Sequence, residues 1–567
     1  MNRILKKFIP VLLILALSFS GCGNKSTVSN GGNVSETGSN SWIVADVLPV
    51  SLPPVEPRTN GSADWRDEII YFLMTDRFSD GDSSNNNPFY NKGNINYYHG
   101  GDLQGIMNQI GYLRSLGATA VWITPVVENV WRNPHYTDYT GYHGYWTYDF
   151  TKLDPHLGAD NAFYKQFIDT MHNHGLLVIQ DIVTNHMGPL AYYEQGWTPP
   201  YNASGYTRKL VDNYNSGHGE SLKAPFNNLD AFHNYGQFSN DSAPDNVLGD
   251  LSDLPDLNTE KSEVRQALIE AYQSWAGLGI DGFRIDTVKH VEQDFWNAFC
   301  PPMRTAASNA GKSNFFQFGE VWIGYHPSLK DYIDSSGSGL DSVLNFDLYY
   351  VMRTVFGNAT DAYHSNATNE LTRELERRNS YSTASAGDLL VNFIDNHDNN
   401  RFLTDAGGDL DRLWMALTYL MTTKGIPYIY YNTENNILGD NNTGRKDMPG
   451  FAVTNKRTFT LIRVLSKIRK ENEALRRGAM AVLKDSNSAG IFAFVRSNGE
   501  SDENVYVFFN TSDQAISETI DVSGYALEGA TLTNILYQEF GRDESVTVNS
   551  SQITVNLPAY SMKIFKK

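Results

Sequence analysis

Cysteine is almost absent, with only Cys22 and Cys300 among 567 residues. Two cysteines cannot build the disulfide framework of a small exported scaffold, so stability has to come from an apolar core or from bound ions. Basic residues are in deficit, 45 Lys and Arg against 64 Asp and Glu, for a formal charge of -19. A nucleic-acid surface needs a basic patch to release counterions; no such cluster occurs, which argues against a nucleic-acid partner. No apolar run reaches the about 20 residues that span a bilayer. There is no internal repeat.

What is plentiful is aromatic: 32 Tyr, 29 Phe and 10 Trp make up 13% of the chain. Sugar-binding clefts use such rings, and so do cores. At the N-terminus, Arg3, Lys6 and Lys7 precede an apolar stretch at 8–17, the pattern of a secretory signal over 1–21. Ser18-Phe19-Ser20-Gly21-Cys22 resembles the lipobox of bacterial lipoproteins, with Phe19 in the place of the usual Leu. That resemblance implies lipidation of Cys22 and an extracellular body whose membrane contact is the lipid anchor alone. The alternative is an ordinary cleavage site with an incidental cysteine. Residues 22–62, rich in Ser, Asn and Gly and then in Pro, read as a flexible tether.

Beyond it, short β-branched or aromatic runs alternate with helical stretches, as in an α/β protein with a parallel sheet. Strands are expected at 69–73, 120–124, 177–183, 280–286, 315–321, 342–346, 389–395 and 426–431, and helices at 103–116, 162–174 and 264–278 among others. Eight such units predict a closed (β/α)8 TIM barrel over 63–185 and 258–470, with its chemistry at the C-terminal strand ends. About a hundred residues separate the third and fourth strands. A structureless loop of that length is implausible, so a small inserted domain is expected at 186–257. From 471 to 567 short alternating runs predict a C-terminal antiparallel β-sandwich domain. A monomer is expected.

In Gly282-Phe283-Arg284-Ile285-Asp286 the two-residue strand period sends Arg284 and Asp286 to one face and Phe283 and Ile285 to the other. Glu320 ends the next strand, and Phe393 to Asp398 closes the seventh. Three acids on one barrel rim suit retaining glycoside hydrolysis, in which two carboxylates about 5 Å apart act as nucleophile and acid/base. A divalent metal site is the competing use for such a cluster with nearby His143, His186 and His397.

The runs 181–186 (DIVTNH), 282–290 (GFRIDTVKH), 318–322 (FGEVW) and 393–398 (FIDNHD), with 254–258 (LPDLN), resemble the ordered signature regions of the α-amylase family. The resemblance extends from about residue 69 to 431. It implies that Asp286 is the nucleophile, Glu320 the general acid/base and Asp398 the transition-state stabiliser, acting on an α-glucan polysaccharide or oligosaccharide. It further implies substrate contacts from His143, Tyr145, His186, Arg284, Lys289, His290, Trp322, His397 and Arg445.

The resemblance also implies two Ca2+ sites. Asn185, Asp256 and the backbone carbonyl of His290 would form the first, from the hard oxygen ligands that calcium prefers. Asp80, Asp82, Asn85, Asn86, Gly100 and Asp102 would form the second, resembling the extra site of cyclodextrin glucanotransferases; an ordinary polar turn is the alternative.

The first half of the chain resembles those glucanotransferases closely, so cyclisation or maltogenic transglycosylation competes with hydrolysis. Ser252 stands where they carry a central Tyr or Phe, and one β-domain is visible where they carry further C-terminal domains; both favour hydrolysis. Thr287 and Leu254 point to α-1,4 bonds. Asn441 in place of an Asp four residues before Arg445 leaves the donor side open. A catalytically inactive glucan-binding protein on the same fold is the reading from another class, and loss of one acid would betray it. None is missing.

Overall fold

The computed structural model describes residues 54, 56–58 and 63–567, apart from 135, 197, 212–221, 324–326, 335, 382–383 and 453–456. The signal at 1–21, Cys22 and nearly all of the tether lie outside the described residues. No helix among the described residues is long and apolar enough to cross a membrane.

Eight parallel strands form the central sheet: β1 (Ile70–Leu73), β2 (Ala120–Ile123), β3 (Leu177–Ile182), β4 (Gly282–Ile285), β5 (Phe316–Gly319), β6 (Ser342–Val343), β7 (Val391–Asn392) and β8 (Ile426–Tyr430). Their order, β6-β5-β4-β3-β2-β1-β8-β7, is that of a barrel opened between β6 and β7. A bridge between Leu344 and Val391, in which the Asn345 N–H donates to the Val391 carbonyl at 2.8 Å, closes the ring. β1 to β5 and β8 are buried on both faces, which explains their largely apolar character, with Gln180, Asp181, Arg284 and Gln317 as the polar exceptions. Inside the ring Phe72 stacks on Trp122 with centroids 3.8 Å apart, and Tyr428 meets Trp122 edge-on.

All eight expected strands occur, but the sixth and seventh shrink to two residues each. After β6, Asn345 caps the helix Phe346–Met352, its side chain accepting from the Leu348 N–H at 3.1 Å, so Phe346 is helical rather than extended. The helix expected at 103–116 is interrupted. Gln109 bonds back to Ile106 in a tighter turn that separates Leu103–Asn108 from Ile110–Leu116.

Between β3 and β4 the chain forms a small hairpin, Ala191–Tyr193 with Arg208–Leu210, and two short helical turns at Leu229–Ala231 and Asp245–Leu248. It returns to the barrel where His186 bridges Asp256.

The C-terminal strands are β9 (Ala479–Lys484), β10 (Ile491–Ser497), β11 (Val505–Asn510), β12 (Ile516–Asp521), β13 (Thr531–Asn534), β14 (Ser545–Thr547), β15 (Gln552–Leu557) and β16 (Ser561–Lys566). Six form one sheet, β9-β10-β11-β16-β13-β14, and β12 pairs with β15. Alternation along β10 sends Phe492 and Phe494 into the barrel's core cluster, while Ile491, Ala493 and Val495 face the smaller sheet.

Candidate active site

β3, β4 and β5 run side by side, with Asp181 opposite Arg284 and Arg284 opposite Phe318. Phe283 points outward onto Tyr272 of the helix Ser262–Ala276, so Arg284 projects into the barrel. There its guanidinium is fully buried and is held by three acids. One nitrogen donates to Asp181 at 2.9 Å and to Asp286 at 2.8 Å; the other donates to Glu320. Asp181 is fixed further by the Trp122 indole at 3.0 Å and the Tyr145 hydroxyl at 2.8 Å.

Burial penalises the charged forms here, and Arg284 opposes it. Burial prevails at Glu320, whose pKa is pushed up to about 8, with Asp286 and Asp398 adding repulsion. It also lifts Asp181 to about 7.

The backbone beyond the strand ends is pinned as well. The Glu320 N–H donates to the Ile285 carbonyl at 2.7 Å, and the Val288 N–H to the Glu320 carbonyl at 3.0 Å. Between them Thr287 takes a left-handed φ of 49°. That conformation is strained for a β-branched residue and turns the chain directly after Asp286.

Asp398 arrives from the loop after β7. Arg445 donates to one carboxylate oxygen at 3.0 Å, and His397 Nε2 lies 3.1 Å from the other. Burial raises its pKa despite Arg445. Tyr145 stacks on His397 with centroids 5.1 Å apart, and the Tyr145 N–H donates to His143 Nδ1 at 3.0 Å. Burial holds His143, His186 and His397 below the usual imidazole range, so all three are neutral acceptors and donors. His186 Nε2 and His397 Nδ1 are buried with no partner in the protein. Such atoms are costly unless a ligand satisfies them.

The other expected contacts are committed within the protein. Arg445 donates to Asp398, to the His397 carbonyl at 2.8 Å and to Tyr142 at 3.3 Å. Lys289 pairs with Asp241 at 2.7 Å. His290 Nδ1 meets the Asn246 carbonyl at 2.7 Å, and burial brings its pKa down to about 4. The Trp322 indole donates to the Tyr350 hydroxyl at 2.9 Å. Sequence reasoning gave no role to Asp181 or Tyr142. The two-residue period carries a signal for Asp181, because its register with Arg284 puts both on one face.

Among the described residues no three His, Cys, Asp or Glu side chains form a metal-holding group. At the acid cluster, Arg284 occupies the place between the carboxylates that a cation would take.

The two ligand sets expected for calcium combine carboxylate, amide and backbone carbonyl oxygens. Asn185 Oδ1 and Asp256 Oδ1 are both buried without a partner, and the Leu257 N–H bond to the Asn185 carbonyl at 2.8 Å brings their segments together. The other Asp256 oxygen meets His233 Nδ1 at 2.5 Å. That pair of unsatisfied oxygens fits a hard cation.

In the Asp80 loop, Asn85 Oδ1 and Asn86 Oδ1 are likewise buried and unpartnered. Gly100 has a left-handed φ of 88°, and a Cβ there would stand 2.6 Å from Asn86 Oδ1, so the position favours glycine. Asp102, however, spends its carboxylate on the N–H groups of Gly105 at 2.6 Å and Asp82 at 2.8 Å. Asp82 turns outward onto Ser84. Asp80, Asn85, Asn86 and Gly100 are the part of the expected set that fits.

Comparison with known proteins agrees with this geometry. The chain is 34% identical over 440 residues to a cyclomaltodextrin glucanotransferase of Bacillus sp. (strain 1011), covering 76% of this chain and 58% of the relative. It spans between 38% and 58% of the length of the first curated relatives it matches. An α-amylase from Geobacillus thermoleovorans complexed with acarbose superposes with a TM-score of 0.71 at 27% identity, covering 89% of this chain and 99% of that one. A cyclomaltodextrin glucanotransferase with a three-domain ABC distribution superposes with a TM-score of 0.72 at 28% identity, covering 88% and 99%. The family model for the α-amylase catalytic domain matches residues 72–450, from within β1 to the loop that carries Arg445, and the protein belongs to the α-amylase family.

Proposed function

We propose that the protein hydrolyses α-1,4 bonds of starch, maltodextrin or related α-glucans with retention of configuration. The observation that carries this reading is the single guanidinium of Arg284 holding both Asp286 and Glu320. Two carboxylates on one guanidinium stay near the about 5 Å spacing of retaining enzymes, short of the wider gap that an inverting water needs. Asp286, beside the cation, is the nucleophile. Glu320 starts protonated, donates to the leaving oxygen and then takes a proton from the incoming water. Asp398 grips the sugar hydroxyls as oxocarbenium charge develops, and the unpartnered nitrogens of His186 and His397 bind the same ring.

Calcium at Asn185, Asp256 and His290, and at the Asp80 loop, is part of the proposal. A bound ion would supply fixed positive charge that braces the inserted segment against the barrel. So is lipidation at Cys22, which would tether the enzyme outside the cell.

Transglycosylation is the second reading, supported by the likeness to the two glucanotransferases. The number of C-terminal domains does not discriminate, because one of those two has a three-domain organisation. The absence of an aromatic ring at Ser252 favours hydrolysis. The test is product analysis from amylose with Glu320→Gln and Asp286→Asn alongside. Linear maltodextrins from the wild type and a loss of at least about 10³-fold in each folded variant are expected. Cyclic products shift the assignment to transfer; near-normal activity in either variant removes it.

A further inference from the structure

We propose that Tyr142 and Arg77 are positioning residues that set the carboxylate of Asp398 through Arg445. This rests on the hydrolase reading above, in which Asp398 touches the sugar.

Tyr142 stands between two guanidinium groups. Arg77 lies over its ring, 3.8 Å from the centroid, and Arg445 donates to its hydroxyl oxygen at 3.3 Å. A phenol suits both, since its electron-rich face attracts one cation and its oxygen lone pair the other. The same ring separates two like charges that would repel across a bare gap. Arg445 then passes its position on, with one nitrogen on Asp398 at 3.0 Å and another on the His397 carbonyl at 2.8 Å.

Arg77 is itself rigidly held. Its side chain is buried, paired with Asp76 at 2.7 Å and bonded to the carbonyls of Ile95 and Tyr97 at 2.7 and 2.9 Å. Its own backbone carbonyl accepts from the Met448 N–H at 3.0 Å. One residue therefore grips both the loop bearing Tyr142 and the loop bearing Arg445. Arg401 secures the second loop from its other side, donating to the Gly444 carbonyl at 2.7 Å. Among the described residues Arg445 is the one arginine ion-paired with Asp398, so tilting Arg445 moves the acid away from the reacting sugar. Displacements of this kind cost rate more than binding.

Steady-state kinetics on a soluble maltooligosaccharide test the proposal. Tyr142→Phe keeps the ring for Arg77 and removes the acceptor for Arg445; Tyr142→Leu removes both. The expected result is a kcat about 10-fold lower for Tyr142→Phe and about 100-fold lower for Tyr142→Leu, with KM within about twofold and the melting temperature of Tyr142→Phe unchanged. Arg77→Lys retains the charge beside Asp76 but loses the flat contact. Combined with Tyr142→Leu it should add little further loss, because both act through one path. Undiminished kcat in both Tyr142 variants, or fully additive losses in the double variant, overturns the proposal. Failure of the hydrolase reading looks different: the wild type leaves the substrate intact, or Glu320→Gln turns it over normally.

Discussion

At Glu320 a buried, acid-rich setting outweighs a directly bonded arginine. The carboxyl is therefore protonated up to about pH 8, as the general acid proposed for this position must be at neutral pH. We expect kcat/KM to fall along an alkaline limb centred near pH 8, about tenfold per unit beyond it. The same shift acts on stability with a defined sign. The folded state holds this proton more tightly than the unfolded chain, so the contribution is complete below the ordinary value of 4.5 and is lost as pH rises through about 8. Asp181, raised to about 7, adds in the same direction. Melting curves from pH 4 to 9 should thus slope less steeply in Glu320→Gln than in the wild type. A rate profile level to pH 10 contradicts this account. None of it can be read from the residue string alone, because the shift comes from burial and from Asp286, Asp398 and Asp181, which converge from separate parts of the chain. Thr287 is equally silent in sequence: a β-branched residue gives no warning of a left-handed φ.

Among the elements, the first proposed calcium site would join the end of β3 to the returning limb of the inserted segment. Its two unsatisfied oxygens, on Asn185 and Asp256, come from stretches that pair only through tertiary contact. A ligand that binds only the folded state stabilises it by about 2.7 kcal/mol at a hundredfold excess over Kd. Chelation should therefore lower the melting temperature by a few degrees, and Asn185→Ala with Asp256→Ala should abolish most of that response. A melting curve unchanged after verified metal removal would count against both sites. The strands were legible because burial on both faces leaves short, largely apolar runs, and the two-residue period correctly turned Arg284 inward and Phe283 outward. The short β6 and β7 were not, since Asn345 diverts the chain into a helix where residue pattern alone continues the strand. The inserted segment, full of Asn, Gly and Pro, has no period to read, and its form is set by partners far along the chain.

Across the whole molecule, the barrel and the larger C-terminal sheet share one apolar core. Phe356 and Tyr419 from the barrel side meet Phe492, Phe494 and Phe509. That packing steadies the outer wall, and the same buried cluster extends to Val343, Leu344 and Val391 at the junction of β6 and β7. There the ring is completed by one bridge and a few side-chain bonds, such as Ser342 to the Leu389 carbonyl at 2.6 Å and Asn345 to Asn392 at 3.0 Å. A hoop joined at one rivet opens at the rivet. Fluctuations that part the seam would leave the five-strand arc from β1 to β5 paired, so the wall bearing Asp286 and Glu320 keeps its shape while its opposite side breathes. Deuterium should accordingly enter the amide of Asn345, which donates across the seam, well before those of Val178 or Phe72. Asp398, six residues past the end of β7, would then be the one acid of the three whose distance to the sugar varies with every opening.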